Sequence, residues 1–319
     1  MAAGNRKSPK RAKSSESTYS LMEFMSDFPD DDACLEWLWS TRYANEDGTA
    51  YCPKCSANRT FTKYATKQQR QSWTCSGCGH HVHPTAGTIF HKSSTSLHLW
   101  FYAMYLMTST RCGISAKQLE RELGVTYKTA WRMFHLIRNE LMYQDDEPLS
   151  GAVEMDEMYF AGKTKRAGEV TKRRPGKPVP KRSSAPVFGM VERGGGRVRA
   201  VHVEDTKTVT LLPHVMKYVV PESVVYTDEY SSYKSLPKHG YDHRTISHKD
   251  SVYVSGDVHT QTIEGFWSLV RRGIAGTHHM VSAKHLQGYL NEYVFRYNRD
   301  DNGPDLFAVL LLRAALTRV

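Results

Sequence analysis

Apolar residues recur along this chain with a changing period, and each change marks an expected element. In FPDDDACLEWLWSTRY, Cys34, Leu35, Leu38 and Trp39 fall on one helical face behind Asp30 or Asp31, either of which can cap the helix. From Tyr51 to Pro84 the texture is cysteine pairs, threonine and aromatic residues, which predicts small strands joined by turns. A helical period returns from Ser93 to Met142, broken at Cys112-Gly113 and again at Gly124. The longest apolar stretch, Leu97 to Met107, is too short to span a membrane and includes His98, so it reads as a buried helix.

Beyond the turn-like stretch Asp145 to Gly151 the chain becomes strand-rich: VEMDEMYF, then VFGMVERGGGRVRAVHVE, with Gly194 to Gly196 as a hairpin turn. Thr206 to Tyr218 predicts a helix and VVYTD a buried strand running into a polar loop. Thr262 to Arg299 and Pro304 to Arg318 predict further helices. Strands followed by helix, strand and helices make an α/β core. The expected organisation is a disordered basic arm over 1–20, a helical lead-in and cysteine-bearing ribbon over 21–90, a helix-turn-helix over 91–145, and the α/β domain over 146–319.

Charge narrows the choice of partner. A net charge of +10 points toward a polyanion, because clustered Lys and Arg gain affinity by releasing counterions from phosphates. The α/β domain carries a basic insertion at about 161–186, AGKTKRAGEVTKRRPGKPVPKRSSAP, too poor in large apolar side chains to pack into a core. It reads as an extended loop in which Lys172, Arg173 and Arg174 contact phosphates; a merely solvated insertion is the other reading. The first twenty residues lack the apolar segment of a signal peptide, so the chain is expected in the cytoplasm, with the nucleoid and not at a membrane.

Cys52, Cys55, Cys75 and Cys78 form two C-x2-C pairs separated by 19 residues, the spacing of a tetrahedral four-thiolate Zn(II) site. A pair of disulfides is the alternative, disfavoured where thiols stay reduced. Four protein ligands leave no open position, so the zinc is expected to be structural. Cys34 and Cys112 lack partner spacing and read as small buried hydrophobes. In the segment ISAKQLERELGVTYKTAWRMFHLIRNEL, one helix runs from about Ala116 to Leu123, Gly124-Val125 turns, and Thr126 caps a second helix. Lys128, Thr129 and Arg132 recur on the polar side of that second helix, where they can face a DNA groove.

Phosphodiester chemistry of the two-metal kind needs carboxylates converging from separate elements, and three acids stand where rigid elements can hold them. Asp156 lies mid-strand in VEMDEMYF, Asp228 at the end of VVYTD, and Glu264 opens the helix TIEGFWSLVRR. Glu154 shares a strand face with Asp156 by alternation, whereas Glu157 points the other way. His259 is the rival for third metal ligand, although hard Mg(II) prefers oxygen.

These motifs together resemble bacterial insertion-sequence transposases of the ISXO-like group, which are related to eukaryotic Merlin elements. The matching segments are CPKC and CSGC, VEMDEMYF, VVYTDEYSSY, HTQTIEGFWSLVRRGIAGTHH and YLNEYVFRYNR, spanning Leu21 to Asn298. The resemblance implies an RNase H-like core with Asp156, Asp228 and Glu264 as the DDE-type catalytic set for Mg(II) or Mn(II). It also implies cleavage at transposon ends by water, followed by attack of the freed 3′-hydroxyl on target DNA. Where the family usually carries Lys, seven residues after the third acid, this chain has Arg271, a planar fork in place of a point charge. The expected partners are transposon-end and target DNA, with a homodimer or larger assembly holding two ends. A non-catalytic zinc-ribbon regulator, or a nuclease that cuts without joining, are the competing readings.

Overall fold

The computed structural model describes residues 19–64, 72–110, 113–161, 184–245, 261–298 and 305–318. Lys172, Arg173, Arg174, His259 and Cys112 lie outside the described residues. The chain divides into two compact units, residues 1–111 with 303–319, and residues 112–302.

In the first unit, α1 (Leu21–Asp27) is closed by a capping box in which Ser20 and Glu23 bond reciprocally, and α2 (Asp31–Arg42) is capped by Asp30, whose carboxylate accepts from the amide of Ala33. The strands β1 (Thr49–Cys52), β2 (Ala57–Tyr64), β3 (Ser72–Cys75) and β4 (His81–Val82) form one antiparallel sheet in sequence order. Trp39 of α2 stacks on Trp73 of β3, with ring centroids 4.9 Å apart and planes 4° from parallel. The apolar stretch read as a buried helix forms α3 (Leu97–Ser109), with Trp100, Phe101, Met104 and Met107 buried. A C-terminal helix, Leu306–Leu316, packs beside it, its Phe307 meeting the rings of Phe24, Phe28 and Tyr105.

The second unit opens with α4 (Ala116–Leu123) and α5 (Tyr127–Leu136). Ser115 caps the first, Gly124 ends it in the left-handed region at φ 64°, and Thr126 caps the second by accepting from the amide of Thr129. Leu119, Leu123, Ala130, Met133 and Phe134 are buried between and beneath them. A π-helical turn, Ile137–Leu141, continues α5 and carries Arg138, only 2% exposed.

Five strands follow: β5 (Ala152–Ala161), β6 (Ser184–Glu192), β7 (Val198–His202), β8 (Val224–Thr227) and β9 (Asp242–Thr245). The sheet order is β7-β6-β5-β8-β9. The first three strands pair antiparallel, while β8 and β9 run parallel to β5. Between β7 and β8 lies α6 (Thr208–Tyr218), and after the sheet come α7 (Gln261–Gly273) and α8 (Ala283–Tyr297). β5 and β6 alternate strictly. Met158, Val187 and Val191 face a core with Ile263, Phe266 and Trp267 of α7 and Leu286 and Leu290 of α8. Val153, Met155, Phe188 and Met190 face the opposite core with Leu211 and Val215 of α6 and Tyr233.

Two features depart from the sequence expectation. The edge strand β9 has no apolar signal because its residues, DHRT, are exposed or half-buried. The helical tail expected from Thr262 to Arg299 is divided by a π-helical turn, Ile274–His278, and by His279, which takes a positive φ of 60°.

Gly189 stands opposite Asp156 in the β5–β6 register, and a Cβ there would overlap the indole of Trp267 and lie 3.0 Å from Ile263 Cδ1. Gly189→Ala is therefore expected to lower unfolding stability by about 1–3 kcal/mol, as overpacking does. A denaturant midpoint equal to that of the parent would show that α7 sits less tightly on β6 than described.

Candidate active site

The face of β5 that meets α7 carries Glu154, Asp156 and Met158, spaced two apart by strand alternation. Each touches α7 at a different height. The Glu154 carboxylate, with no solvent exposure, accepts from the backbone amides of Thr262 (2.8 Å) and Ile263 (3.0 Å) and from the Thr262 hydroxyl (3.0 Å). The indole N–H of Trp267 donates to Asp156 Oδ2 at 3.1 Å, and Arg271 Nε lies 2.9 Å from Met158 Sδ. Four residues of strand rise about 13–14 Å and the nine from Thr262 to Arg271 rise about 13.5 Å in a helix, so the three contacts stay in step.

Glu154 also receives Arg193 Nε at 2.8 Å, and the Arg193 guanidinium covers the ring of Tyr226 at 3.6 Å. The buried charge is thus met by a cation and by the orphan amides of a helix start, the groups that most favour an anion.

Asp228 follows directly on β8. Parallel pairing of β5 with β8 ends at Glu154 opposite Tyr226, and carrying the register two residues further sets Asp228 beside Asp156. Asp228 is half-buried, and its Oδ1 accepts the amide of Tyr230 at 3.0 Å. Burial pushes the Asp156 carboxyl up to about 6, and the charges of Asp228 and Glu264 push in the same direction, against the Trp267 hydrogen bond. Glu264 is exposed in the first turn of α7, on the line of the helix that continues through Trp267 to Arg271, itself exposed. The structure therefore brings Asp156, Asp228 and Glu264 into one electrostatic neighbourhood.

Sequence reasoning assigned no part to Glu157. It points to the opposite face of the sheet, as alternation requires, where the buried Tyr233 hydroxyl donates to its carboxylate. Burial pushes it up to about 7, with Asp228 and Asp156 adding to the shift. Its place directly after Asp156 in EMDE gave the only hint of it, and that hint could not reveal Tyr233.

In the first unit, Cys52, Cys55, Cys75 and Cys78 place their sulfurs within 4.8 Å of one another. Two of the separations are 3.6 Å (Cys52–Cys78) and 3.9 Å (Cys55–Cys75), far longer than a disulfide. A tetrahedral ion with metal–sulfur bonds of about 2.3 Å needs edges of about 3.8 Å, so the set fits one ion. The chain turns after each pair through a positive φ, 51° at Ser56 and 70° at Gly79. Among the described residues no other group of three or more His, Cys, Asp or Glu lies so close.

On α5, Lys128 and Arg132 are exposed and Thr129 half-buried, its hydroxyl 3.0 Å from that of Thr126. No helix among the described residues is long and apolar enough to cross a membrane.

Residues 148–298 match the family model described as the ISXO2-like transposase domain. The "Uncharacterized protein in transposable element ISH50" of Halobacterium salinarum is 32% identical over 257 residues, 77% of this chain and 84% of that protein. An "Uncharacterized transposase-like protein" of Haemophilus influenzae is 29% identical over 105 residues, 33% of this chain and 84% of that protein. A solved pre-cleavage Mos1 transpososome aligns with 63% of this chain and 72% of its own at 10% identity, with a TM-score of 0.27, too low to bear on the fold.

The raised carboxyls carry a pH signature. Asp156 and Glu157 rise from 3.8 and 4.5 to about 6 and about 7, so the folded state holds more protons than the unfolded chain across that window. Their contribution to stability is present below the unfolded values and falls as pH rises through the folded ones. Without added divalent cations, Asp156→Asn is expected to remove on the order of 1–3 kcal/mol of this decline between about pH 4 and 7, measured by urea unfolding against the parent. Parallel pH profiles for the two proteins would count against it.

Proposed function

The chain belongs to the insertion-sequence transposases of the ISXO-like group, and from that premise we propose that it is a metal-dependent enzyme that cleaves DNA at transposon ends and joins the 3′-hydroxyl to target DNA. The observation that carries the reading is that Asp228, at a strand end, and Glu264, at a helix start, both lie near enough to the buried strand residue Asp156 for their charges to push its carboxyl up beyond what burial does. Crowded acids of this kind favour a cation, and the donor set is all oxygen, which suits Mg(II) or Mn(II). When bound, the ions would supply Lewis acidity at the attacking and leaving oxygens.

The chain's own residues do the positioning. Trp267 fixes the Asp156 carboxylate by its indole N–H, and Glu154 fixes the start of α7 and thereby the height of Glu264. Arg271, two turns beyond Glu264 on the exposed side of α7, offers a guanidinium fork to a DNA phosphate.

The four thiolates hold a structural Zn(II), and α4 with α5 forms a helix-turn-helix in which Lys128 and Arg132 contact DNA. The Thr129 hydroxyl shares itself with the helix cap. Two transposon ends must be held at once, so the working form is a homodimer or larger assembly, acting in the cytoplasm on nucleoid DNA. The basic insertion with Lys172, Arg173 and Arg174, and His259 as a neighbour of the metal site, complete the reading.

Strand transfer with Mg(II) or Mn(II) tests the acids. Asp156→Asn and Asp228→Asn should each lower joining by about 100-fold or more, the loss of several kcal/mol of charge stabilisation. Undiminished joining by either variant sinks the assignment, and cutting without joining by the parent would make it a nuclease. The zinc is tested separately by elemental analysis and melting. One zinc per chain is expected, and Cys55→Ser should lose it and melt roughly 5 °C or more lower. A zinc-free parent whose melting ignores chelators would refute the ribbon's metal.

A further inference from the structure

The starts of α4 and α5 and the segment from Thr277 to Tyr289 line a half-open cavity of about 500 Å³, within the range of pockets that hold small organic groups. None of its lining residues is acidic. Its aromatic wall comes from Tyr127 and Trp131, one helical turn apart on α5, and from Tyr289 on α8. Tyr127 and Trp131 stay 49% and 36% exposed although Ala130, Met133 and Phe134 of the same helix are buried. The Trp131 indole is nonetheless held in place: it stacks on His135 with centroids 4.8 Å apart and planes 9° from parallel, and meets His285 edge-on at 5.5 Å. An indole so fixed gives up little conformational freedom when a flat ring is laid against it.

The rest of the lining mixes polar and basic side chains with Ala116, Met280 and Val281. Lys117 contributes its ammonium 5.6 Å from the Tyr127 ring, where it also pairs with Glu120. α4 and α8 both begin at the cavity, α4 capped by Ser115 and α8 with Ser282 at its N-cap position but no side-chain cap bond, and helix starts favour anionic groups. Lys128 and Arg132 each follow one of the two exposed aromatics in sequence. Successive residues of a helix point about 100° apart, so Lys128 and Arg132 stand beside the cavity wall and not on it, and the cation that lines the cavity itself is Lys117.

We infer that this cavity receives one unstacked DNA nucleotide, its base laid on Tyr127 and Trp131 and its phosphate on the basic side. The inference rests on the reading of α5 as a DNA-contacting helix. A base drawn from the stack needs a flat apolar surface to replace its neighbours, and aromatic side chains supply it without regard to sequence.

The test uses the full chain and two labelled probes at one ionic strength: a short thymidine oligonucleotide and an abasic deoxyribose phosphate oligomer of the same length. The parent should prefer the thymidine strand by about fivefold or more. Tyr127→Ala and Trp131→Ala should each erode that preference while leaving abasic affinity unchanged, and Trp131→Phe should keep most of it. Equal affinity of the parent for the two probes, no binding of either where duplex DNA binds, or a preference that survives both alanine variants overturns the inference. The parent comparison decides even if a variant fails to fold. Failure of the parent to bind duplex DNA would instead overturn the reading of α5 itself.

Discussion

A carboxylate sealed from water is tolerable only if it is fully compensated, and the second unit is built around one that is. Glu154 lies at the centre of the sheet with no exposure, and its charge is met by Arg193 and by the first amides of α7. Those amides would be orphans in any helix, so one contact answers two needs. It also fixes where α7 begins relative to β5. From that fixed point the matched rises of strand and helix carry Trp267 to Asp156 and Arg271 to Met158. Gly189 across the sheet leaves room for the indole, so the position of Asp156 depends on a missing side chain as well as on a present one.

A second buried charge ties the helical pair to the same sheet unit. Arg138, at the end of α5, lies in a sandwich between the rings of Phe134 and Tyr289 at 3.5 and 3.8 Å from their centroids. Its Nε donates to Glu292 of α8 at 2.7 Å, and Arg296 reaches the other oxygen of that carboxylate at 3.2 Å. His278 beside the pair is pressed down to about 4 by its own burial, with the Arg138 charge adding to the effect, so that imidazole is neutral near pH 7. Breaking such a pair by removing one partner leaves an uncompensated charge in the interior, so α5 and α8 are held to the register in which Arg138 meets Glu292.

Much of this was legible in the chain because it is written in periods. Alternation in VEMDEMYF puts Glu154 and Asp156 on one face and Glu157 on the other, as found. The C-x2-C pairs converge, and the caps at Asp30 and Thr126 sit where the sequence predicts. Contacts between distant segments were not legible. No period announces that Trp267 donates to Asp156 or that Tyr233 bonds Glu157, since each needs the sheet register and the seating of a helix. β9 escaped because an edge strand of polar residues has no buried side to betray it, and the π-helical turns escaped because apolar spacing barely distinguishes them from α-helix.

The C-terminal helix Leu306–Leu316 belongs to the first unit, where Phe307 closes the aromatic cluster of Phe24, Phe28 and Tyr105. The segment that completes that core is thus translated after the whole of the second unit. On the ribosome, the sheet around Glu154 can close while the first unit still exposes rings awaiting their cover, so the order of maturation runs against the order of synthesis. Until Leu306–Leu316 emerges, the rings of Phe24, Phe28 and Tyr105 wait without the cover that Phe307 gives them.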